Sequence, residues 1–169
     1  MERTAGRFRD GVRAWVVTVS DRCSRGEQED LSGPAVATLL REAGVGEITA
    51  ETVPDEVERI VESLRRGSAA GVELIVTTGG TGLAPRDVTP EATRMVCQKM
   101  VDGLAERMRA AGLARTPMAA LSRGVCGVAE QTLVVNLPGS PDGARTSLAA
   151  VLEVLPHALD LIAGRTEHA

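Results

Sequence analysis

The sequence contains very few aromatic residues: of its 169 residues, Phe8 and Trp15 are the only ones that are Phe, Trp or Tyr. A buried core must therefore be built from Val, Leu, Ile, Ala and Met, which is feasible because 43% of the residues are hydrophobic. The length suits one domain better than two, and a domain of this size can fold without disulfides or a structural metal.

Histidine and cysteine are also scarce, which argues against several kinds of site. His157 and His168 lie near the C-terminus without metal-ligand spacing, so zinc hydrolysis and His-dependent catalytic triads are not expected. The three cysteines, Cys23, Cys97 and Cys126, are odd in number and form no Cys-x-x-Cys pair. They are predicted to be buried or half-buried thiols of a cytoplasmic protein.

Two further absences concern partners. The formal net charge is −4, whereas binding of a phosphate backbone needs a net basic face, so no nucleic acid partner is expected. No apolar run approaches the ~20 residues that span a bilayer, so no membrane partner is expected either. Residues 1–13 are polar and Arg-rich and are predicted to be a flexible lead, followed by a domain over 14–164 and a tail over 165–169.

Short runs of apolar and β-branched residues predict the strands. They lie at 15–19, 47–53 and 74–78, and two further segments near 124–129 and 132–137 look like a hairpin. Such runs, bounded by turn residues, are typical of buried strands. The sheet is expected to be largely parallel, with one antiparallel strand.

Helical patterns alternate with these strands. Apolar residues repeat at helical spacing over 36–43 and over 57–64, and Gly67 is predicted to end the second helix. Further helical patterns cover 90–99, 102–111 and a C-terminal region broken near Pro156. The order predicts an α/β fold: a single-domain, doubly wound, largely parallel sheet with helices on both faces.

The unusual residues of the sequence directly follow the predicted strands. They are Ser20 after the first strand, Asp55 after the second, Gly79, Gly80, Thr81 and Gly82 after the third, and Pro138, Gly139 and Ser140 after the last. Ligands of doubly wound sheets bind outside the carboxyl ends of the strands. The four loops are therefore predicted to form one binding site.

The glycine-rich loop at 79–82 allows two interpretations. It can expose backbone N–H groups to a phosphate, or it can be a tight turn from a strand into a helix. It lacks the Gly-Lys-Ser/Thr ending of a P-loop, and Pro85 interrupts the dinucleotide-binding pattern. The loop by itself leaves both interpretations open.

Three aspartates accompany this loop. Asp55 and Asp87 could be carboxylates at helix starts or on the surface, and Asp30 could face solvent beside Glu27 and Glu29. If they instead face one cleft with a phosphate, a hard cation must intervene, and Mg²⁺ is usually held by one or two carboxylates plus substrate phosphates. This second interpretation favours phosphoryl or nucleotidyl transfer.

Seven motifs follow one another in a specific order. They are Val19–Arg22, Asp30–Pro34, Val53–Glu56, Thr78–Gly82, Pro85–Ala92, Leu121–Arg123 and Leu137–Pro141. In this order they resemble the molybdopterin-binding domain of the Mog/MoaB family, which includes molybdopterin adenylyltransferases and the gephyrin and plant Cnx G-domains. The resemblance extends over nearly the whole chain, from about residue 14 to 164.

The resemblance implies an enzyme that transfers AMP from Mg-ATP to the terminal phosphate of molybdopterin and releases pyrophosphate. Asp55 and Asp87 would support Mg-ATP binding and the transfer, while Asp30 and Ser122 would lie nearer the bound nucleotide and pterin. The glycine-rich loop and the turn at Pro138 would line the pocket of the pterin phosphate. From the residues alone, Ser122 could equally end a helix.

Two other activities occur among similar proteins. One is a non-catalytic, molybdopterin-binding MoaB-type carrier, and the other is a nucleotide pyrophosphatase of the CinA kind. The presence of all three aspartates favours the adenylyltransferase. The resemblance also implies a homotrimer or hexamer, to which the apolar stripes of the helices could contribute, and a molybdate-inserting MoeA-type partner.

Overall fold

The computed structural model describes residues 6–165, and these contain six strands in one sheet. In chain order the strands are β1 (Arg13–Val19), β2 (Glu47–Val53), β3 (Leu74–Thr78), β4 (Lys99–Met100), β5 (Cys126–Ala129) and β6 (Thr132–Leu137). Their spatial order is β2-β1-β3-β6-β5-β4. The first four in this order are mutually parallel, while β5 pairs antiparallel with β6 and with β4. The predicted, largely parallel sheet is confirmed.

Helices connect the parallel strands. They are α1 (Asp21–Ser24), α2 (Ser32–Glu42), α3 (Val57–Ala69), α4 (Thr89–Val96), α5 (Asp102–Leu113), α6 (Pro141–Val151) and α7 (Leu155–Ile162), with a 3₁₀ turn at Pro117–Leu121. The helix predicted over 90–99 ends at Val96, and Lys99 pairs instead with Val128 of β5. The short helix α1 directly follows β1 and lies outside the predicted helical patterns.

The predicted end of α3 at Gly67 is wrong, because this glycine lies inside the helix. A Cβ atom at Gly67 would stand 2.9 Å from Cδ1 of Ile75 on β3. The glycine therefore allows the helix to approach the sheet closely, and tertiary packing outweighs its low helix propensity.

Successive residues of the central strands alternate between two apolar cores. Val16 and Val76 face the core that contains α2, α5, α6 and α7. Val17 and Ile75 face the opposite core, with α3 and α4. All four side chains are at most 1% exposed. The predicted arrangement of helices on both faces is thereby confirmed, with the alternation expected of strands covered on both sides.

The apolar stripe of α6 and α7 belongs to the first of these cores. Leu148, Val151, Leu155 and Leu159 are all buried within the chain. This stripe is therefore used in intramolecular packing and lends no support to the predicted trimer.

The segment before β1 packs against the domain. Phe8 and Val12 are 4% and 1% exposed, and the Phe8 N–H donates to the Ala43 carbonyl at 2.9 Å. The predicted flexible lead is thus part of the core from Phe8 onward; residues 1–5, and the predicted tail beyond Arg165, lie outside the described residues. No helix within residues 6–165 has the length and hydropathy needed to cross a bilayer.

The three cysteines are free thiols, as predicted: Cys23 and Cys97 are half-buried and Cys126 is buried. Burial raises the pKa of Cys97 to about 11 and that of Cys126 to about 12. Neither of these two thiols is thus activated as a nucleophile, since the thiolate is the reactive form.

Candidate active site

The loops after β1, β2, β3 and β6 meet at the carboxyl edge of the sheet. Ser20, after β1, donates its N–H to the carbonyl of Val53 at 2.9 Å. Gly79, after β3, donates its N–H to the carbonyl of Leu137 at 3.1 Å. In the sheet, β2 lies on one side of β1 and β3 lies on the other. The strand order therefore reverses at β1, and such a topological switch point leaves a crevice for ligands.

Two clefts open at this edge. The larger has a volume of about 480 Å³ and lies among the glycine-rich loop, α5, the 3₁₀ turn and the start of α6. The smaller has a volume of about 290 Å³ and lies among the loops after β1 and β2 and the start of α2. Gly80, Asp87 and Gly139 line both clefts, so the two adjoin. Two ligands can therefore be bound side by side.

Every site residue predicted from the sequence lines at least one cleft. The smaller cleft is lined by Ser20, Asp30, Asp55 and Gly79. The larger cleft is lined by Thr81, Gly82, Ser122, Pro138 and Ser140. Asp30 and Ser122, both expected near the bound nucleotide and pterin, thus lie in different clefts.

The glycine-rich loop is a closely packed turn with a left-handed backbone. Gly79 and Gly80 have φ angles of +94° and +68°. A Cβ atom at Gly79 would lie 2.3 Å from the Val19 carbonyl oxygen, and one at Gly80 would lie 2.2 Å from Oγ1 of Thr89. The Thr89 hydroxyl donates to the Gly79 carbonyl at 2.9 Å. The loop is therefore fixed against β1 and α4, and only glycine fits both positions.

Asp55 is held by a reciprocal pair of hydrogen bonds. The Asp21 N–H donates to Oδ2 of Asp55 at 2.8 Å, and the Asp55 N–H donates to Oδ1 of Asp21 at 3.0 Å. Burial raises the pKa of the Asp55 carboxyl above its ordinary value. The hydrogen bond from the Asp21 N–H lowers this pKa, while the charges of Asp21 and Asp87 raise it further. A carboxyl perturbed in this way inside a cleft is a candidate functional group.

Asp21 and Arg86 form a two-pronged ion pair beside the smaller cleft. Nε and Nη2 of Arg86 donate to the two carboxylate oxygens of Asp21 at 2.6 and 3.0 Å. The hydrogen bonds from Arg86 lower the pKa of Asp21. Arg86 thus pairs with Asp21 rather than with Asp87, its neighbour in the sequence. The predicted site omitted this pair, although both residues lie in motifs that carried the resemblance.

Asp87 lies at the junction of the clefts on the loop before α4. Its Oδ2 accepts the Ala84 N–H at 3.0 Å, and its backbone carbonyl accepts Nη2 of Arg123 at 2.8 Å. The first contact holds the carboxyl group, and the second holds the backbone that carries it. Because Asp87 lines both clefts, a ligand in either cleft can reach its carboxylate.

Asp30 has a structural task in the smaller cleft. Its Oδ2 accepts the Thr18 hydroxyl at 2.6 Å, and its Oδ1 accepts the Gly33 N–H at 3.0 Å, in the first turn of α2. The predicted alternative, an aspartate facing solvent, does not hold, since Asp30 is half-buried. Its carboxyl group joins the end of β1 to the start of α2.

The three predicted site serines direct their hydroxyls to backbone N–H groups. Ser20 accepts from Cys23 and Ser140 accepts from Gly143, each at 3.1 Å, so these two serines cap α1 and α6. The Ser122 hydroxyl accepts from Gly124 at the longer distance of 3.4 Å. Of the three serine hydroxyls, that of Ser122 thus accepts the longest hydrogen bond from a backbone N–H group.

The residues described, 6–165, contain no cluster of three or more His, Cys, Asp or Glu side chains that could hold a metal ion by themselves. They do bring Asp55 and Asp87 to the smaller cleft, where the charge of Asp87 adds to burial in raising the pKa of Asp55. This donor set fits Mg²⁺ shared with substrate phosphates, because one or two carboxylates then suffice.

Comparison with known proteins identifies the family. Residues 15–157 match the family described as probable molybdopterin binding domain. The chain belongs to this family. A molybdopterin adenylyltransferase of Helicobacter pylori strain J99 is 45% identical over 156 residues, which are 90% of this chain and 89% of that protein. The molybdopterin adenylyltransferase of Escherichia coli K12 is 38% identical over 83% of this chain and 73% of that protein.

Solved structures of similar proteins have the same fold. The molybdopterin biosynthesis enzyme MoaB from Thermus thermophilus is 54% identical, with a TM-score of 0.82 over 90% of this chain and 97% of that chain. The Mog protein from Mycobacterium ulcerans is 43% identical, with a TM-score of 0.86 over 92% and 99%. CinA from Thermoplasma acidophilum, at 17% identity and a TM-score of 0.65 over 85% and 97%, shares the fold alone.

Proposed function

We propose that this protein is a molybdopterin adenylyltransferase of molybdenum cofactor biosynthesis. The observation that carries the proposal is the pair of clefts that adjoin at Gly80, Asp87 and Gly139. A transfer between two substrates needs two neighbouring sites, whereas a carrier needs one and a pyrophosphatase needs only a nucleotide site. Similarity to proteins named molybdopterin adenylyltransferase supports the same function.

Each cleft suits one substrate. The smaller cleft, with Asp55 and Asp87, suits the triphosphate of Mg-ATP. The larger cleft offers apolar surface from Met108 and Met118 and a cationic group from Arg109. Arg115 on the same cleft instead pairs with Asp142 at 3.1 Å. Apolar walls with a few polar groups suit a fused ring bearing a phosphate, which we assign as molybdopterin. The N-terminus of α6 at this cleft adds a favourable dipole for an anion.

The reaction needs positioning and charge stabilisation rather than a protein nucleophile. A phosphate oxygen of molybdopterin forms a bond to the α-phosphorus of ATP, and the bond from that phosphorus to the bridging oxygen of pyrophosphate breaks. Magnesium supplies neutralisation of the phosphate charge. Asp55 and Asp87 would hold this ion together with the triphosphate, and Gly80 and Gly139, which line both clefts and carry no side chain, would let the two substrates approach each other.

The test is Asp87→Asn, which removes the charge and keeps an oxygen that can accept the Ala84 N–H. The rate of adenylylated molybdopterin formation is expected to fall about 10²–10³-fold, the usual effect of losing one preorganised electrostatic contact. Molybdopterin affinity, measured in the same preparation, is expected to stay near the wild-type value. Asp102→Asn, at the exposed start of α5 and outside both clefts, is the matched control.

Two results would contradict the proposal. A wild-type protein that binds molybdopterin with and without Mg-ATP but forms no adenylylated product is a carrier. A wild-type protein that hydrolyses a nucleotide diphosphate bond without molybdopterin is a pyrophosphatase. Loss of molybdopterin binding and thermal stability together in Asp87→Asn would make Asp87 a structural residue.

A further inference from the structure

Arg123 follows Ser122 and reaches back along the edge of the larger cleft. Its backbone N–H donates to the Thr81 carbonyl, its Nε donates to the Gly82 carbonyl and its Nη2 donates to the Asp87 carbonyl, each at 2.8 Å. One residue thus holds both ends of the segment that runs from the glycine-rich loop to Asp87.

Glu91 holds the guanidinium group of Arg123 in place. This glutamate lies in the first turn of α4 and accepts a hydrogen bond from Nη1 of Arg123. The ion pair raises the pKa of Arg123 and lowers that of Glu91. The guanidinium is therefore charged and oriented before any ligand arrives, with its donors shared among two carbonyls and one carboxylate.

The segment between the two anchored ends lies largely in solvent. Leu83 is 66% exposed, and the side chain of Arg86 is 59% exposed. An exposed loop gains little from apolar packing, so its conformation depends on its hydrogen bonds. The two carbonyl contacts of Arg123 bracket this loop and fix the backbone from which the Asp87 side chain projects.

We propose that Arg123 is a positioning residue that acts through Asp87: by holding the carbonyls of Gly82 and Asp87, it sets the place of the Asp87 carboxylate at the junction of the two clefts. Lysine cannot replace it, because a single ammonium group cannot present several donors in one fixed plane. This inference rests on the adenylyltransferase function proposed above for its kinetic part, and on the hydrogen bonds alone for its structural part.

The kinetic test compares Arg123→Lys with Arg107→Lys in the full chain. The kcat of Arg123→Lys is expected to fall about 10²-fold, as for a misplacement of a catalytic group by about 1 Å, with KM for molybdopterin near the wild-type value. Arg107 is the matched control, because it donates to the Ala150 carbonyl and pairs with Glu153 outside both clefts. Its lysine variant is expected to keep the wild-type kcat.

The coupling to Asp87 is tested by a double variant. When Asp87→Asn is already present, adding Arg123→Lys is expected to lower kcat little further, because the effect of Arg123 passes through the lost carboxylate. A multiplicative loss in the double variant would overturn the proposal. So would a parallel loss of kcat, molybdopterin binding and thermal midpoint in Arg123→Lys, since that pattern belongs to general destabilisation.

A third measurement needs no enzymatic activity. The Ala84 N–H bonds to the Asp87 carboxylate at 3.0 Å, so its hydrogen exchange by NMR reports whether that carboxylate stays in place. Exchange is expected to become faster in Arg123→Lys and to stay unchanged in Arg107→Lys. Unchanged Ala84 exchange in Arg123→Lys would overturn the proposal. Faster exchange in a protein that makes no adenylylated product would mean that the proposed function, and not the positioning role, has failed.

Discussion

Asp55→Asn is expected to change stability and activity in opposite directions. The Asp55 carboxylate is half-buried and close to the carboxylates of Asp21 and Asp87, and folding raises its pKa. Asparagine has nearly the same shape, and its amide oxygen can still accept the Asp21 N–H that now lies 2.8 Å from Oδ2. The substitution therefore removes the buried charge while leaving the backbone contact available.

The sign of the stability change follows from proton linkage. An acid whose pKa is raised by folding binds its proton more tightly in the folded chain, so its ionised form lowers the free energy of unfolding at neutral pH. Asp55→Asn is expected to raise the free energy of unfolding by about 1 kcal/mol at pH 7, within the usual range for a single stabilising substitution. For a domain of this size that is about 2–4 °C in thermal midpoint. The gain should vanish as the pH falls below the ordinary carboxyl value of 3.8.

The activity of the same variant is expected to fall about 10²–10³-fold, since the triphosphate loses one carboxylate that orients it. Thermal unfolding from pH 3 to pH 8 and the rate of adenylylated molybdopterin formation are the two measurements. A lower midpoint at pH 7, or an equal gain at pH 3, would refute the linkage argument.

Asp21→Asn is the matched control with the opposite sign. The hydrogen bonds from Arg86 lower the pKa of Asp21, so its ionised form favours the folded chain above the unfolded pKa. That contribution is lost as the pH falls through the lower folded pKa. Asp21→Asn is therefore expected to lower the midpoint at pH 7, with a difference from wild type that shrinks in acid. A stabilised Asp21→Asn would show that the two aspartates do not differ in the way described.

Three further outcomes are expected. Gly80→Ala would place a Cβ atom 2.2 Å from the hydroxyl oxygen of the buried Thr89, at a residue with a left-handed φ. The control is Gly26→Ala, because Gly26 also has a left-handed φ, of +72°, but has open space around the added Cβ atom. Calorimetry should show that Gly80→Ala lowers the free energy of unfolding by about 1–3 kcal/mol more than Gly26→Ala does. ATP affinity measured by calorimetry should fall when EDTA removes Mg²⁺. Equal ATP affinity with and without EDTA would contradict a role for the cation in nucleotide binding. Light scattering should give three or six chains of 17.7 kDa, and a monomer mass would reject the assembly implied by the resemblance.

The sequence predicted the sheet well because strand ends and loop chemistry are local signals. The runs at 47–53 and 74–78 coincide with β2 and β3 to the residue, since β-branched residues there are bounded by turn residues. The carboxyl edge of these strands then followed from general topology. The loops with glycine, proline and aspartate lie at one edge, as the sequence predicts.

Contacts between residues distant in the sequence were harder to predict. The local pattern predicts a helix end at Gly67, because the approach of this glycine to Ile75 on the sheet is a tertiary contact. Arg86 pairs with Asp21, 65 residues away in the sequence, rather than with its neighbour Asp87. The sequence predicts that Phe8 belongs to a flexible lead, because a single aromatic residue among polar neighbours gives no local sign that it is buried in the core. In each case the conformation depends on a residue that is distant in the sequence, and local sequence patterns carry no information about such contacts.

The aspartates at the site differ in what balances their charge, and this difference indicates their tasks. Asp21 is neutralised by Arg86, and the two oxygens of Asp30 receive the Thr18 hydroxyl and the Gly33 N–H. Asp55 is instead half-buried and close to the carboxylates of Asp21 and Asp87, so its ionised form is disfavoured, and a nearby cation would offset this cost. A triphosphate alone would increase that cost, whereas a triphosphate that carries Mg²⁺ lowers it. We therefore expect the smaller cleft to bind the metal complex of the nucleotide more tightly than the free nucleotide.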